Sequence, residues 1–376
     1  MPQHNTIGLH KFALDTPCLI IDIDALKQNL TTMQRHAAQH KIDVRPHCKT
    51  HKCSTLAALQ IEHGAIGVCA TKVSEAAVLI QNGILSVLIT SPVVTQQKIN
   101  HLSTLIQQAP STIVVTDHPK NVADLNEAGK RINQRINVLV DIDPGIGRTG
   151  VKPEHAVELG LIINQCKWLN LLGIQCYAGN LQHILSYDER KQRSLNTMEM
   201  ASNLVLQFKA NGLACPILTG TGTGTYDIDS AAAEVTDIQP GSYAVMDVEY
   251  SVIQSKDNLT EFTTFNHAMT LLTTVISSNR TEWVTVDAGT KSIYVDKQHK
   301  PKIINHNHLE YDWAGFGDEH GKITAIDHST LPKNGAVLEL IVPHCDPTIN
   351  LFDKFYITQQ DHVIDVWDID MRGKSQ

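Results

Sequence analysis

Along the first two-thirds of the chain, short β-branched apolar runs alternate with stretches whose apolar residues recur at helical spacing. Strand-like runs fall at 18–22, 42–48, 66–70, 86–90, 112–116, 136–143, 171–178, 216–219 and 237–245. Helical patterns occupy 25–39, 53–63, 73–82, 95–108, 119–132, 153–165 and 186–211, several with a cap candidate at the start, such as Ser74-Glu75 and Ser186 to Glu189. Strands alternating with helices predict a parallel sheet. Leaving aside the first run, those from 42 to 245 number eight, the repeat that a closed (β/α)8 TIM barrel requires.

After about residue 255 the pattern changes. Runs at 270–276, 283–286, 292–295, 337–342, 355–357 and 362–367 are strand-like and have no long helical pattern between them. The expectation is an α/β chain: a (β/α)8 barrel over 16–250, then a C-terminal mainly-β domain over 255–376, to which residues 1–22 could be attached. At 376 residues, two domains are the default.

Composition narrows the class. A net charge of −8 gives no basic footprint for nucleic acid, and no apolar run approaches the roughly 20 residues of a membrane span. Met1 to Thr6 begins no signal-like segment. Eight scattered cysteines without CxxC spacing read as reduced, mostly buried thiols, which makes cytoplasmic the expected location.

Barrel enzymes place their chemistry at the C-terminal ends of the strands. Five distinctive segments fall on that face. Lys49 follows the 42–48 run, and Arg148 follows 136–143 in a glycine-flanked loop. Tyr177 and His183 bracket the loop after 171–178. Gly220-Thr221-Gly222-Thr223-Gly224 follows 216–219, and Gly241-Ser242-Tyr243 lies in the last run. By itself a lysine at a loop start reads as solvated, although one desolvated at a strand end becomes a usable nucleophile. The glycine-rich segment lacks both the P-loop ending and the dinucleotide spacing. Its backbone N–H groups and hydroxyls, with the Gly-Ser pair one strand later, still suit a phosphate, as in barrels that bind one after strands seven and eight. In the β region, Pro343-His344-Cys345-Asp346-Pro347 contains an HxD pair. An extended segment would point His344 and Asp346 the same way and Cys345 to the other side. Such a pair holds a divalent cation with positions open for water or substrate. The competing reading is a turn in which the Asp caps its own backbone.

Taken together, Arg45-Pro46-His47-Cys48-Lys49-Thr50-His51-Lys52, Lys72-Val73-Ser74-Glu75-Ala76, Gln239 to Asp247 and His344 to Thr348 resemble the fold-type III pyridoxal-phosphate enzymes of the D-threonine aldolase and D-serine dehydratase group. The resemblance implies an alanine-racemase-like barrel and a homodimer whose interface completes the active site. It implies pyridoxal 5'-phosphate as a Schiff base on Lys49, Arg148 at the ring oxygen, Tyr177 against the cofactor, 220–224 with 241–243 around the phosphate, and His183 handling protons. It also implies a divalent metal (Mn, Mg or Zn) on His344 and Asp346 beside the β-hydroxyl of a small D-amino acid. The expected reaction is retro-aldol cleavage of D-β-hydroxy-α-amino acids, such as D-threonine to glycine and acetaldehyde. The alternatives are D-serine or D-threo-3-hydroxyaspartate dehydration, amino-acid racemisation, a non-catalytic pyridoxal-phosphate carrier, and a sugar-phosphate barrel enzyme. His-x-Asp in place of the dehydratases' His-x-Cys points to the aldolase branch; Ala178, where the aldolases carry histidine, points away from it.

Overall fold

The computed structural model describes residues 6–296, 298–312, 316–327 and 329–376. Residues 1–5, within the N-terminal segment read above, lie outside the described residues, as do 297, 313–315 and 328 of the C-terminal region. The chain forms two compact units. One comprises Thr31–Lys49, Leu56–Gly241 and Gly373–Gln376; the other comprises the described residues of Met1–Leu30, Thr50–Thr55 and Ser242–Arg372.

In chain order the elements begin with β1 (Cys18–Asp22), α1 (Ile23–His40), β2 (Asp43–Val44), α2 (Ser54–Glu62), β3 (Val68–Ala70), α3 (Val73–Gln81), β4 (Val87–Ile89) and α4 (Gln96–Gln108). They continue with β5 (Ile113–Thr116), α5 (Pro119–Ile132), β6 (Ile136–Ile142), α6 (Ala156–Asn164), β7 (Leu169–Cys176), α7 (Tyr187–Ala210), β8 (Ile217–Gly220), α8 (Tyr226–Asp229) and β9 (Asp237–Ile238). The rest are α9 (Val248–Ser251), β10 (Met269–Ser277), β11 (Trp283–Val286), β12 (Lys302–Ile303), β13 (Leu309–Asp312), β14 (Gly321–Ala325), β15 (Val337–Ile341), α10 (Cys345–Ile349), β16 (Lys354–Gln359) and β17 (His362–Asp368).

The first unit is a parallel eight-stranded sheet in the order β2-β9-β8-β7-β6-β5-β4-β3. The residues following β2 return to β3: Cys69 N–H donates to Pro46 O at 2.8 Å and Cys48 N–H to Cys69 O at 2.9 Å. Those bonds close the ring as a (β/α)8 barrel. Sequence capping rules hold where an oxygen meets the first turn. Ser186 accepts from Glu189 N–H at the start of α7. In α3 the helix starts at Val73, ahead of the expected Ser74 cap, and the Glu75 carboxylate accepts from the N–H groups of Thr71 (2.8 Å) and Lys72 (3.1 Å).

A hydrogen-bonded chain of buried polar groups crosses the barrel. The Arg45 Nε faces Asp237 at 3.5 Å, and Thr219 donates to the same carboxylate at 2.6 Å. Gln239 donates to Thr219 and to Gln175, and Gln175 donates to Asp141 at 2.9 Å and to Thr90 O at 3.1 Å. Because β7 is not a neighbour of β4 in the sheet, the Gln175–Thr90 bond spans the lumen.

The second unit is a largely antiparallel sheet in the order β13-β14-β11-β10-β1-β16-β17, with β15 also on β10 and β12 on β15. β1 pairs antiparallel with β10 and parallel with β16. Leu14, Cys18, Ile20, Leu272 and Val363 form one core cluster there.

Three expectations are corrected. The run expected as a strand over 237–245 is a strand only at 237–238, because Pro240 has no N–H to continue the ladder and Ser242–Ala244 make a 3-10 turn. The run at 292–295 is a turn: Ser292 and Ile293 N–H both donate to Gly289 O, and Ile293 is apolar because it is buried. Third, Cys345–Ile349 are helical with His344 as N-cap, so side-chain alternation does not relate His344 to Asp346. Asp346 and Pro347 both suit a first helical turn.

Candidate active site

Lys49 is half-buried and directly follows the segment that closes the barrel. Its backbone N–H donates to Nδ1 of His47 at 3.4 Å, while Nε2 of His47 lies 3.0 Å from Thr90 Oγ1, which in turn donates to Ala70 O. With Nδ1 accepting, Nε2 carries the proton, and the imidazole fixes the backbone next to the lysine.

Arg148 is exposed, with its guanidinium 5.5 Å from the centre of the Tyr177 ring, so two expected cofactor contacts come together. The loop is shaped by carboxylates. Asp143 accepts from the N–H groups of Gly145, Ile146 and Gly147; burial works to raise its pKa, but those donors outweigh it and hold it low. Asp117 accepts from Gly150 N–H, and Asp141 from the Thr149 hydroxyl at 2.9 Å. Burial pushes Asp141 up to about 6 despite the bonds from Gln175 and Thr149.

The glycine-rich loop after β8 is buried, and part of its backbone is already engaged. Gly220 O accepts from Gln239 N–H, and Gly222 O accepts from Thr225 N–H. Gly224 N–H donates to Gln182 Oε1 at 3.0 Å and Gly224 O accepts from Arg190 Nε at 2.7 Å. Gly224 therefore shapes the loop. Thr225 and Ser194 donate to the fully buried Asp229, whose carboxyl burial pushes up to about 6.

This has a measurable consequence. A carboxyl raised from 3.8 to about 6 favours the protonated fold. Its contribution is complete below its unfolded pKa and is lost as pH rises through about 6. The full loss, spread between about pH 3.8 and 6, is about 2–3 kcal/mol, and melts from pH 5 upward sample its upper part. Thermal melts of the parent and of Asp229→Asn between pH 5 and 7.5 should show a downward slope that the variant reduces. Identical slopes would remove Asp229 as its source.

Gly241 ends the long segment of the barrel unit, and Ser242 and Tyr243 belong to the other unit. The Ser242 side chain bonds the Cys345 thiol, and Tyr243 is a core ring, edge-on to Phe265 at 5.6 Å. In this unit His344 Nδ1 lies 3.0 Å from Asp247 Oδ2 and 3.1 Å from Glu249 Oε2. Desolvation alone would lower the His344 pKa, but Asp247, Asp346 and Glu249 together raise it to about 9. Asp247 is fully buried; burial favours its neutral form, yet His344 and the N–H groups of Cys345 and Tyr250 hold it below the usual range. Asp247, His344 and Cys345 offer ligand atoms within 4.8 Å of one another. Burial, with Asp247 and Asp346 adding to it, drives the Cys345 thiol well up. Asp346 lies beside this cluster and accepts from the Cys345 thiol, Sγ to Oδ1, at 3.5 Å.

Sequence reasoning gave no role to Gln182, Arg190, Asp141 or Asp247. Asp247 stood inside the Gln239 to Asp247 motif; the other three carry no spacing that marks them.

All eight cysteines are free thiols, seven of them buried. No helix among the described residues is long and apolar enough to cross a membrane.

Comparison with known proteins identifies the family. The family described as alanine racemase, N-terminal domain, matches residues 21–248, and a putative serine dehydratase domain matches 268–358. A D-threonine aldolase of Arthrobacter sp. is 34% identical over 96% of this chain and 94% of its own. A 3-hydroxy-D-aspartate aldolase of Paracoccus denitrificans (strain Pd 1222) is 34% identical over 98% and 94%. The crystal structure of D-threonine aldolase from Filomicrobium marinum superposes with a TM-score of 0.94 at 34% identity over 100% of both chains. A barrel with an alanine racemase N-terminal domain, followed by a serine-dehydratase-like β unit, places the chain in the D-threonine aldolase and D-serine dehydratase family of fold-type III pyridoxal-phosphate lyases.

Proposed function

We propose that this chain cleaves D-β-hydroxy-α-amino acids to glycine and an aldehyde, with pyridoxal 5'-phosphate on Lys49 and a divalent metal on His344 and Asp346. The observation that carries the reading is His344: its Nδ1 is engaged by carboxylates, which leaves Nε2, with Asp346, to present a nitrogen–oxygen donor set of the kind that suits Mn, Mg or Zn. The barrel's donors also fit a phosphorylated aldehyde: a half-buried amine at Lys49, a guanidinium over Tyr177, and a buried loop of glycines and hydroxyls.

When bound, pyridoxal phosphate supplies an electron sink at Cα. A divalent metal would lower the pKa of the β-hydroxyl. The chain's own residues do the rest. Lys49 holds the cofactor, Arg148 and Tyr177 orient its ring, and the 220–224 loop, with Gly241, Ser242 and Tyr243, anchors its phosphate. His183 takes the β-hydroxyl proton as Cα–Cβ breaks; the C–O bond becomes the aldehyde carbonyl, and the pair left on Cα is protonated to give glycine. The assembly carried over with this reading is a homodimer, and the free thiols support a cytoplasmic setting.

Ala178, buried where aldolases carry a histidine, favours dehydration as the second reading. Product analysis decides between them: D-threonine, D-serine and D-threo-3-hydroxyaspartate are supplied with and without added Mn²⁺. Glycine and aldehyde are expected. Ammonia and keto acid without any aldehyde would overturn the aldolase assignment.

A further inference from the structure

Both neighbours of His183 are tied to the same residue of the glycine-rich loop, Gly224. On one side, the Gln182 side chain, 1% exposed, accepts from Gly224 N–H at 3.0 Å and donates to Thr225 Oγ1 at 3.1 Å and Ala178 O at 3.2 Å. On the other, Arg190 is fully buried and donates to Gly224 O at 2.7 Å and to Ile184 O at 2.5 Å. The glycines answer to this packing. A Cβ on Gly222 would collide with Gln182 Oε1, and one on Gly224 with the Gln182 carbonyl oxygen. Two of the three glycines in Gly220-Thr221-Gly222-Thr223-Gly224 thus make room for Gln182, which explains a spacing that matches no phosphate-loop motif.

We infer that Gln182 is a positioning residue that locks the loop carrying His183 to the glycine-rich loop, so that the loop anchoring the cofactor's phosphate also sets the place of His183. The inference rests on the proposed roles of those two loops. A loop anchored on one side by a bound phosphate and on the other by Gln182 gives His183 no independent freedom. Without Gln182 the Gly224 N–H loses its acceptor inside a buried turn, and the turn must rearrange to recover one. The two properties that depend on the turn are then affected together: affinity for the phosphate and placement of the imidazole.

The test uses the full-length protein stripped of cofactor and titrated with pyridoxal phosphate or pyridoxal, followed by quenching of intrinsic fluorescence. Gln182→Ala and the near-isosteric Gln182→Met should weaken pyridoxal phosphate about tenfold, the worth of one buried hydrogen bond, and pyridoxal less than about twofold. In a double-mutant cycle with His183→Ala, Gln182→Met should lower kcat about tenfold with little change in KM, and should add nothing once His183 is absent. Equal weakening of both ligands, or kcat losses that add in full, would overturn the inference. If His183→Ala by itself leaves turnover intact, the proton-handling role of His183 fails and with it the second half of the inference. The pyridoxal phosphate to pyridoxal ratio then decides independently whether Gln182 holds the phosphate-side turn. Should Gln182→Ala fail to fold, Gln182→Met, which keeps the volume, carries both measurements.

Discussion

Lys49→Ala is expected to lose the visible absorbance of bound cofactor after dialysis and to reduce turnover by at least about 10³-fold. Lys49 is half-buried at the end of the segment closing the barrel, and the ring is held there by backbone bonds of Cys48, Pro46 and Cys69, none of which uses the Lys49 side chain. The variant should therefore keep its far-ultraviolet circular dichroism and melt within a few degrees of the parent. Lys49→Arg separates charge from nucleophilicity. A guanidinium keeps the positive charge but remains protonated at any working pH and cannot act as an amine, so it should be as inactive as the alanine variant. A dialysed Lys49→Ala protein that retains the absorbance, or an arginine variant with substantial turnover, would show that the cofactor is held elsewhere.

The barrel was legible because burial on both faces leaves near-continuous apolar runs, and the amphipathic helices between them keep a 3.6-residue period. The runs at 136–143 and 171–178 correspond to β6 and β7 to within two residues at each end. Where a run continued past its ladder, as from Asp237 through Pro240 to Val245, apolar character recorded burial and not strand. β13 and β14 went unread because Leu309–Asp312 and Gly321–Ala325 are interrupted by charged and small residues, unlike the equally short but β-branched Trp283–Val286. Nothing in Cys18–Asp22 says which sheet it joins; that depends on Met269 to Leu272 and Phe355 to Thr358, some 250 residues or more away along the chain. The candidate site divides in the same way. Lysine, arginine and glycine-rich segments at strand ends stand out by type and place. Gln182 and Arg190 do not, because their work is to fill and bond the space between two loops, which exists only once both loops are folded. His344 was found through its neighbour Asp346, but the geometry that supports it comes from Asp247, nearly a hundred residues earlier.

That long-range carboxylate shapes the second large effect. His344→Ala should lower turnover of D-threonine by more than about 100-fold, and prolonged chelation of the parent should do the same, with recovery on adding Mn²⁺ only in the parent. The magnitude follows from the arrangement. An outer carboxylate that orients a ligating histidine is by itself worth about 10–100-fold in metal affinity, and removal of the ligand exceeds that. Asp247→Asn isolates the orienting contribution. The amide can still accept one backbone N–H, as the carboxylate accepts those of Cys345 and Tyr250, but it no longer draws the Nδ1 proton of His344 with a charge. Metal affinity by equilibrium dialysis should then fall about 10–100-fold, while turnover at saturating Mn²⁺ recovers most of the parent's value. His344→Ala, lacking the ligand, should not recover at any Mn²⁺ concentration. The absorbance of bound cofactor should be unchanged in both variants, because the groups proposed to bind it in the barrel are intact. If chelated parent and His344→Ala both turn over D-threonine at the untreated rate, no metal takes part, and the pairing of His344 with Asp247 and Glu249 is then a structural ion cluster holding the start of α10.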